Sequence, residues 1–329
     1  MKRPAFIPNR DTRPSRRASR TRATALTSLV VAALTTATLT GCSRAASGDP
    51  ASGSTSGRID VVASTDVWGD VAKQIGGDKV EVTSIIDDPD KDPHEYQASG
   101  QNQLALSKAE IVVVNGGGYD DFVDEMLASL RTKPVVLNAA DLSGYDQHPS
   151  DGEFNEHLWY DFPTVDKVAQ RLATAYAKAR PADRSTFEAN EKRFEASVSA
   201  LKGTEAQLKR QYAGRGAAIT EPVPLYMLNA IGLVNKTPKK FSEAIENDTD
   251  VAPSVLQQTL DLFSSRSVAL LAYNDQTAGA QTQKVVDAAK ANDVPLVPVA
   301  ETLPAGKTYL TWMRANLDAI GAALGKATS

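Results

Sequence analysis

Cysteine and histidine are both scarce in this chain. Cys42 is the single cysteine among 329 residues, and His94, His148 and His157 are the only histidines. A lone cysteine cannot form a disulfide within the chain. The sequence also shows no serine–histidine–aspartate or cysteine–histidine order that would predict nucleophilic catalysis. Any site that uses imidazole ligands from this chain can therefore draw on at most these three histidines.

A long apolar run is missing as well. The uncharged stretch 23–41 is too short and too rich in threonine to predict a membrane span. It follows a basic segment, as the apolar part of a secretory signal does. Its last residues, Leu-Thr-Gly before Cys42, resemble the bacterial lipobox. We expect residues 1–41 to be a lipoprotein signal peptide. Acylated Cys42 then anchors the protein to the outer face of the cell membrane, and residues 42–58, rich in Ser, Gly and Ala, form a flexible tether.

Positive charge is concentrated in the predicted signal peptide. Residues 1–41 contain eight lysines and arginines and one aspartate, a net charge of +7. Because the whole chain has a formal net charge of -4, residues 42–329 carry -11. An acidic chain of this kind lacks the clustered basic residues that phosphate contacts need. We therefore expect no nucleic-acid partner.

Short apolar strands alternate with amphipathic helices from Ile59 onward. The run at 111–115 is an example of such a strand, and stretches with helical spacing lie on either side of it. This alternation predicts an α/β fold of two lobes with mostly parallel sheets. We predict an N-terminal lobe at 59–162, a single long linking helix at 163–180 and a C-terminal lobe at 181–329.

Two histidines lie in predicted loops beside acidic residues. His94 lies in residues 92–96, Asp-Pro-His-Glu-Tyr, and His157 in residues 155–161, Asn-Glu-His-Leu-Trp-Tyr-Asp. Ligands of an open α/β sheet bind outside the carboxyl ends of its strands. Imidazole nitrogen is a ligand for zinc, manganese and iron. From residue types alone, a solvated loop histidine remains the commoner interpretation of each.

The two loops resemble those of the solute-binding lipoproteins of zinc- and manganese-type ABC importers, cluster A-I. The resemblance extends over nearly all of residues 59–327. In that family one histidine comes from a D-P-H-x-[YF] loop, matched by 92–96. Another comes from N-P-H-[LV]-W-[LM]-D, matched by 155–161, although Glu156 and Tyr160 depart from the pattern.

The second lobe supplies two more ligands in the family. The pattern T-[HE]-x-x-[FP]-x-Y is matched by 220–226 and includes Glu221. An acidic residue ahead of a P-G-x-x-Y segment is matched by Glu301, where the family usually has aspartate. The resemblance therefore implies a metal site of His94, His157, Glu221 and Glu301. Two neutral imidazoles and two carboxylates balance the charge of a divalent cation. On residue type alone, both glutamates are ordinary strand-end or cap carboxylates.

Other residues near these motifs have weaker signals. Glu95 and Asp275 are candidate additional ligands or supporting residues, whereas His148 lies in a polar segment typical of a surface loop. The three glycines at 116–118 lack the lysine and serine of a phosphate loop. They predict a turn at which the backbone passes close to the site.

The resemblance implies an extracytoplasmic binding protein and not an enzyme. We expect it to capture Zn²⁺ or Mn²⁺ between its lobes, to deliver the ion to an ABC permease with its ATPase, and to act as a monomer. Oxygen ligands favour Mn²⁺ and the Irving–Williams order favours Zn²⁺, so the sequence leaves the metal open. Two alternatives stay open. One is a secreted metal-dependent hydrolase, for which no general-base motif is evident. The other is an adhesin lipoprotein that metal stabilises.

Overall fold

A computed structural model describes residues 57–88, 96–277 and 279–327. The predicted signal peptide, Cys42, most of the tether, His94 and Glu95 lie outside the described residues. Within these three ranges, no helix combines the length and the apolar content needed to cross a bilayer.

The first lobe is a four-stranded sheet with helices on its faces. Its elements are β1 (Ile59–Thr65), α1 (Asp66–Gly76), β2 (Val80–Ile86), α2 (Gly100–Lys108), β3 (Ile111–Val114), α3 (Asp121–Ala128), β4 (Val135–Asn138), α4 (Ala139–Ser143) and α5 (Phe162–Ala179). The strand order is β2-β1-β3-β4. The described pairs are all parallel, with Ile59 opposite Val80 and Ile111 opposite Val135.

Burial on both faces explains why β3 reads Ile-Val-Val-Val. Ile111 and Val113 pack in one apolar cluster with residues of α1 and α5. Val112 and Val114 pack in a second cluster with residues of α2 and α3. Because successive strand side chains point to opposite faces, a parallel strand covered on both sides needs an unbroken apolar run.

The second lobe repeats this plan. Its elements are β5 (Gly216–Ile219), α7 (Leu225–Ala230), β6 (Val234–Asn235), α8 (Lys239–Glu246), α9 (Pro253–Ser264), β7 (Leu271–Asn274), α10 (Ala280–Ala291), β8 (Leu296–Val299) and α11 (Tyr309–Lys326). Its strands pair in parallel in the order β6-β5-β7-β8, which matches the order of the first sheet. The predicted α/β class with two mostly parallel sheets is confirmed.

One long helix links the lobes, but it is not the segment predicted at 163–180. That segment is α5, which packs on α1, α4 and β4 of the first lobe. The link is α6 (Arg184–Tyr212), which packs on α1 and α5 at one end and on α7 and α11 of the second lobe. Helical spacing locates an amphipathic helix without showing which surface its apolar face covers.

Carboxylates of α1 also join the lobes. The backbone N–H of Leu303 donates to Asp66 Oδ1 at 3.0 Å, and that of Tyr309 donates to Asp70 Oδ2 at 2.7 Å. Tyr309 begins α11, so Asp70 lies at the positive end of that helix. Burial raises the pKa of Asp66 to about 6, although the hydrogen bond from Leu303 acts in the opposite direction.

We expect the replacement Asp66→Asn to change stability in a pH-dependent way. A carboxyl whose pKa is raised by folding stabilises the fold fully below its unfolded pKa, 3.8, and loses that contribution as pH rises through about 6. Asparagine keeps an acceptor for Leu303 without the charge. Between acidic and neutral pH, the free energy of unfolding of the variant should therefore rise relative to the wild type by about 3 kcal/mol, since one pKa unit corresponds to about 1.4 kcal/mol.

Denaturant titrations of the metal-free protein over this pH range measure the effect. The control is Asp146→Asn, which removes the same charge from an exposed loop residue. A difference between Asp66→Asn and wild type that stays constant with pH would contradict the prediction.

Candidate metal centre

His157 is fully buried where the first lobe faces the second. It immediately precedes the short turn Leu158–Tyr160. The rings of Tyr119 and Trp159 lie edge-on to the imidazole, with centroids 6.2 and 5.2 Å away. These aromatic walls limit water access and restrict rotation of the imidazole.

Asn155 orients this imidazole. Its Oδ1 lies 2.8 Å from His157 Nδ1 and also accepts the backbone N–H of His157. The other end of the same amide, Nδ2, donates to the carbonyl oxygen of Pro222 in the second lobe at 3.2 Å. Because Oδ1 is an acceptor, Nδ1 carries a proton and Nε2 is left as the nitrogen available to a metal.

Two carboxylates from the second lobe lie beside Nε2. Glu246 Oε1 is 3.4 Å away and Glu301 Oε2 is 3.5 Å away. Both separations exceed the usual range for a hydrogen bond between nitrogen and oxygen. Two ligands that share one ion at about 2.1 Å with tetrahedral geometry stand about 3.4 Å apart. The spacing therefore fits atoms that share a cation.

Glu221 belongs to the same group of carboxylates. It lies just beyond the end of β5 and is 3% exposed, while Glu301 is 1% exposed. The hydroxyl of Thr277 lies 2.7 Å from both of its carboxylate oxygens and donates to them. Glu221 also lines, with Glu246, an open cavity of about 840 Å³.

The ends of neighbouring strands hold Glu301 in place. Asn274, the last residue of β7, donates from Nδ2 to Glu301 Oε1 at 2.8 Å. Thr220, which follows β5, accepts the backbone N–H of Asn274 at 2.9 Å. Gln276 Oε1 accepts the backbone N–H of Glu301 at 2.6 Å. These contacts lie at the carboxyl ends of parallel strands, where α/β sheets bind their ligands.

The charges at the site are strongly coupled. Burial lowers the pKa of His157, but the carboxylates of Glu246 and Glu301 outweigh it and raise that pKa to about 9. Burial, the largest cause, and the charges of Glu246 and Glu301 together raise the pKa of Glu221 to about 8, against the opposing hydrogen bond from Thr277. In the metal-free protein these groups therefore retain protons near neutral pH. Metal ligands must be deprotonated, so a cation that binds here would have to displace protons.

Two acidic residues at this site were missed by the sequence analysis. Ligand atoms of Glu156, His157 and Glu246 all lie within 4.8 Å of one another. Glu156 was noted only as a departure from the family pattern, and Glu246 was not considered. The replacement of proline by glutamate next to His157 was a usable signal for Glu156. For Glu246 the sequence offers none, because it ends a helix in a polar segment 89 residues from His157.

Other residues noted in the sequence, His148, the three glycines and Asp275, lie around the proposed site. His148 is exposed and lines a second cavity of about 870 Å³ with Glu156 and Glu246. Gly116, Gly117 and Gly118 border that cavity, and a Cβ on Gly117 would lie 2.3 Å from Phe154, so the predicted close backbone turn is present. Asp275 is exposed, while its neighbours Asn274 and Gln276 contact Glu301.

Curated relatives match most of the chain at low identity. The manganese-binding lipoprotein MntA of Bacillus subtilis (strain 168) is 24% identical, over 77% of this chain and 81% of its own length. The manganese ABC transporter substrate-binding lipoprotein scaA of Streptococcus gordonii is 23% identical, over 83% of this chain and 91% of its own.

A solved structure and a family model lead to the same assignment as these relatives. The solved structure of the periplasmic zinc binding protein TroA from Treponema pallidum superposes with a TM-score of 0.68 at 19% identity, covering 82% of this chain and 99% of that one. The family described as zinc-uptake complex component A periplasmic (ZnuA) matches residues 61–323. This match confirms the resemblance found in the sequence, and the chain belongs to that family.

Proposed function

We propose that this chain captures a divalent transition-metal ion, Zn²⁺ or Mn²⁺, between its two lobes and delivers it to an ABC permease. The relatives carry the names of manganese-binding and manganese ABC transporter substrate-binding lipoproteins. Both names describe binding proteins and neither describes a hydrolase. They favour capture without chemistry over the metal-dependent hydrolase.

The position of His157 Nε2 carries the proposal. One buried imidazole nitrogen of the first lobe stands 3.4 and 3.5 Å from carboxylate oxygens of two residues of the second lobe. Burying carboxylates is costly unless a positive charge lies between them. A cation at this point would add a further link between the two lobes.

The proposed ligands come from both lobes. His157, Glu221 and Glu301 are the three predicted ligands that lie among the described residues, and their burial and mutual charge coupling support the assignment. His94, outside those residues, remains the predicted fourth ligand. Asn155, Asn274 and Thr277 would hold the ligands in orientation, as residues behind a metal's direct ligands usually do.

Loading and release would need only a small movement of the lobes. The hydroxyl of Tyr160 donates to the carbonyl oxygen of Ala300 at 3.0 Å, and that of Tyr309 donates to the carbonyl oxygen of Trp159 at 2.6 Å. Together with α6, these contacts restrain the lobes close to the site. A small sliding or rocking motion fits them better than a wide hinge.

The same proposal includes the place and partners of the protein. Acylation of Cys42 would tether the chain as a monomer to the outer face of the cell membrane. There it would present the loaded site to the permease, while an ATPase on the other side of the membrane drives release. The lipoprotein names of the relatives support this arrangement.

The first test is metal analysis of protein purified without chelator, followed by titration and competition with Zn²⁺ and Mn²⁺. We expect one ion per chain and a thermal midpoint that rises with ion concentration, because a ligand that binds only the folded state stabilises it. A chain that takes up neither ion would overturn the proposed function.

We expect His157→Ala to lower the affinity for either ion by roughly 100-fold or more. Loss of a direct ligand reduces metal affinity more than loss of a residue that only orients a ligand. Calorimetric titration measures the effect, and circular dichroism checks the fold. His148→Ala, at an exposed histidine, is the matched control and should bind as the wild type does. Equal affinities of the two variants would remove His157 from the site.

We expect Asn155→Ala to weaken metal binding by about 10- to 100-fold, the usual cost of losing a residue that orients a histidine ligand. The change removes both the acceptor for Nδ1 of His157 and the donor to Pro222. The control is Gln147→Ala, which removes a nearby side-chain amide that donates to Asp141 Oδ1 at 3.1 Å. Unchanged affinity in Asn155→Ala would show that the imidazole is oriented by other contacts.

A further inference from the structure

Glu246 stands among the proposed ligands although the sequence pattern does not include it. We propose that Glu246 is a direct ligand of the captured ion. Its carboxylate biases the site against Zn²⁺ and toward cations that accept five or six ligand atoms, most of them oxygen, Mn²⁺ above all. This inference rests on the proposed function, because it concerns the selectivity of the same site.

Glu246 lies as close to the imidazole of His157 as Glu301 does. Its Oε1 lies 3.4 Å from His157 Nε2, compared with 3.5 Å for Glu301 Oε2, and its side chain is 9% exposed. Two carboxylates of the second lobe therefore converge on one imidazole of the first.

The local fold places Glu246 here at a cost in electrostatic free energy. Glu246 is the last residue of α8, where the negative end of the helix dipole disfavours a carboxylate. Asp248, two residues later, has a positive φ of 50°, and the N–H of Thr249 donates to the carbonyl oxygen of Ala244 at 2.8 Å. A bound cation would offset the unfavourable placement.

Contacts between lobes hold α8 across the cleft. Lys239, its first residue, pairs with Asp151 of the first lobe at 2.8 Å. Asn247, directly after the helix, donates from Nδ2 to Glu153 Oε2 at 3.0 Å. Both ends of α8 therefore contact one loop of the first lobe, which keeps Glu246 facing His157.

The number and charge of the ligands decide the expected selectivity. Glu246 would add a third carboxylate to those of Glu221 and Glu301. Mn²⁺ suits sites rich in oxygen, whereas Zn²⁺ usually takes only four ligands. Three carboxylates and a dication leave one negative charge. Glu246 borders both open cavities, so water can solvate that excess.

The test compares Glu246→Gln with Glu243→Gln, which removes the same charge one turn earlier on α8. Competition titrations give the affinities of wild type and variants for Mn²⁺ and Zn²⁺. We expect Glu246→Gln to lose at least roughly tenfold in Mn²⁺ affinity and clearly less in Zn²⁺ affinity, and Glu243→Gln to keep the wild-type ratio. Visible absorption of the Co²⁺-loaded proteins should strengthen in Glu246→Gln, as the coordination number falls toward four.

Each outcome separates the selectivity from the function. If the wild type binds both ions, and Glu246→Gln keeps the wild-type ratio and Co²⁺ spectrum, Glu246 is not a ligand and the capture function stands. If the wild type binds neither ion, the proposed function itself fails. Should Glu246→Gln not fold, Glu246→Asp tests the same point. Its shorter side chain should shift the ratio toward Zn²⁺, and an unshifted ratio would overturn the inference.

Discussion

The buried carboxylates of Glu221, Glu246 and Glu301 repel one another, and a cation bound beside His157 would turn that repulsion into attraction. Like charges in a volume with little water interact far more strongly than on a surface. In the metal-free protein the raised pKa values of His157 and Glu221 reduce the conflict by retaining protons. A dication that displaced those protons would relieve the same conflict, and the unfavourable burial would then become the driving force for capture.

The rest of the fold keeps this arrangement from relaxing. If the carboxylates could turn toward solvent, the strain would vanish and so would the affinity. A hydrogen bond from Asn274 keeps Glu301 turned inward, and one from Thr277 does the same for Glu221. The contacts of α8 with the first lobe restrain Glu246. The two sheets have the same strand order, and each directs the carboxyl ends of its strands to the site. The long helix α6, and the hydrogen bonds that Asp66 and Asp70 of α1 accept from the second lobe, fix the distance between the two sheets.

Sequence patterns sufficed where one local rule decides the structure. The Ile-Val-Val-Val run of β3 was recognisable from spacing and residue type alone, whereas the Asn-Glu-His segment before Leu158 stood out only through its resemblance to the family pattern. The link between lobes was not, because α5 and α6 both have helical spacing and only packing shows which of them reaches the second lobe. The strand β6 is two residues long and half exposed, which leaves no periodic signal.

Glu246 shows why ligand sets are harder to predict than folds. Phe241 and Ile245 lie four residues apart on α8 and pack in the core of the second lobe, so they fix the rotation of the helix. Successive residues of a helix are about 100° apart, which directs Glu246 away from that core and toward the cleft. Its role therefore depends on two apolar neighbours and on the loop that receives α8. None of these relations is visible as a motif around position 246, whereas His157 carries its orienting asparagine two residues away.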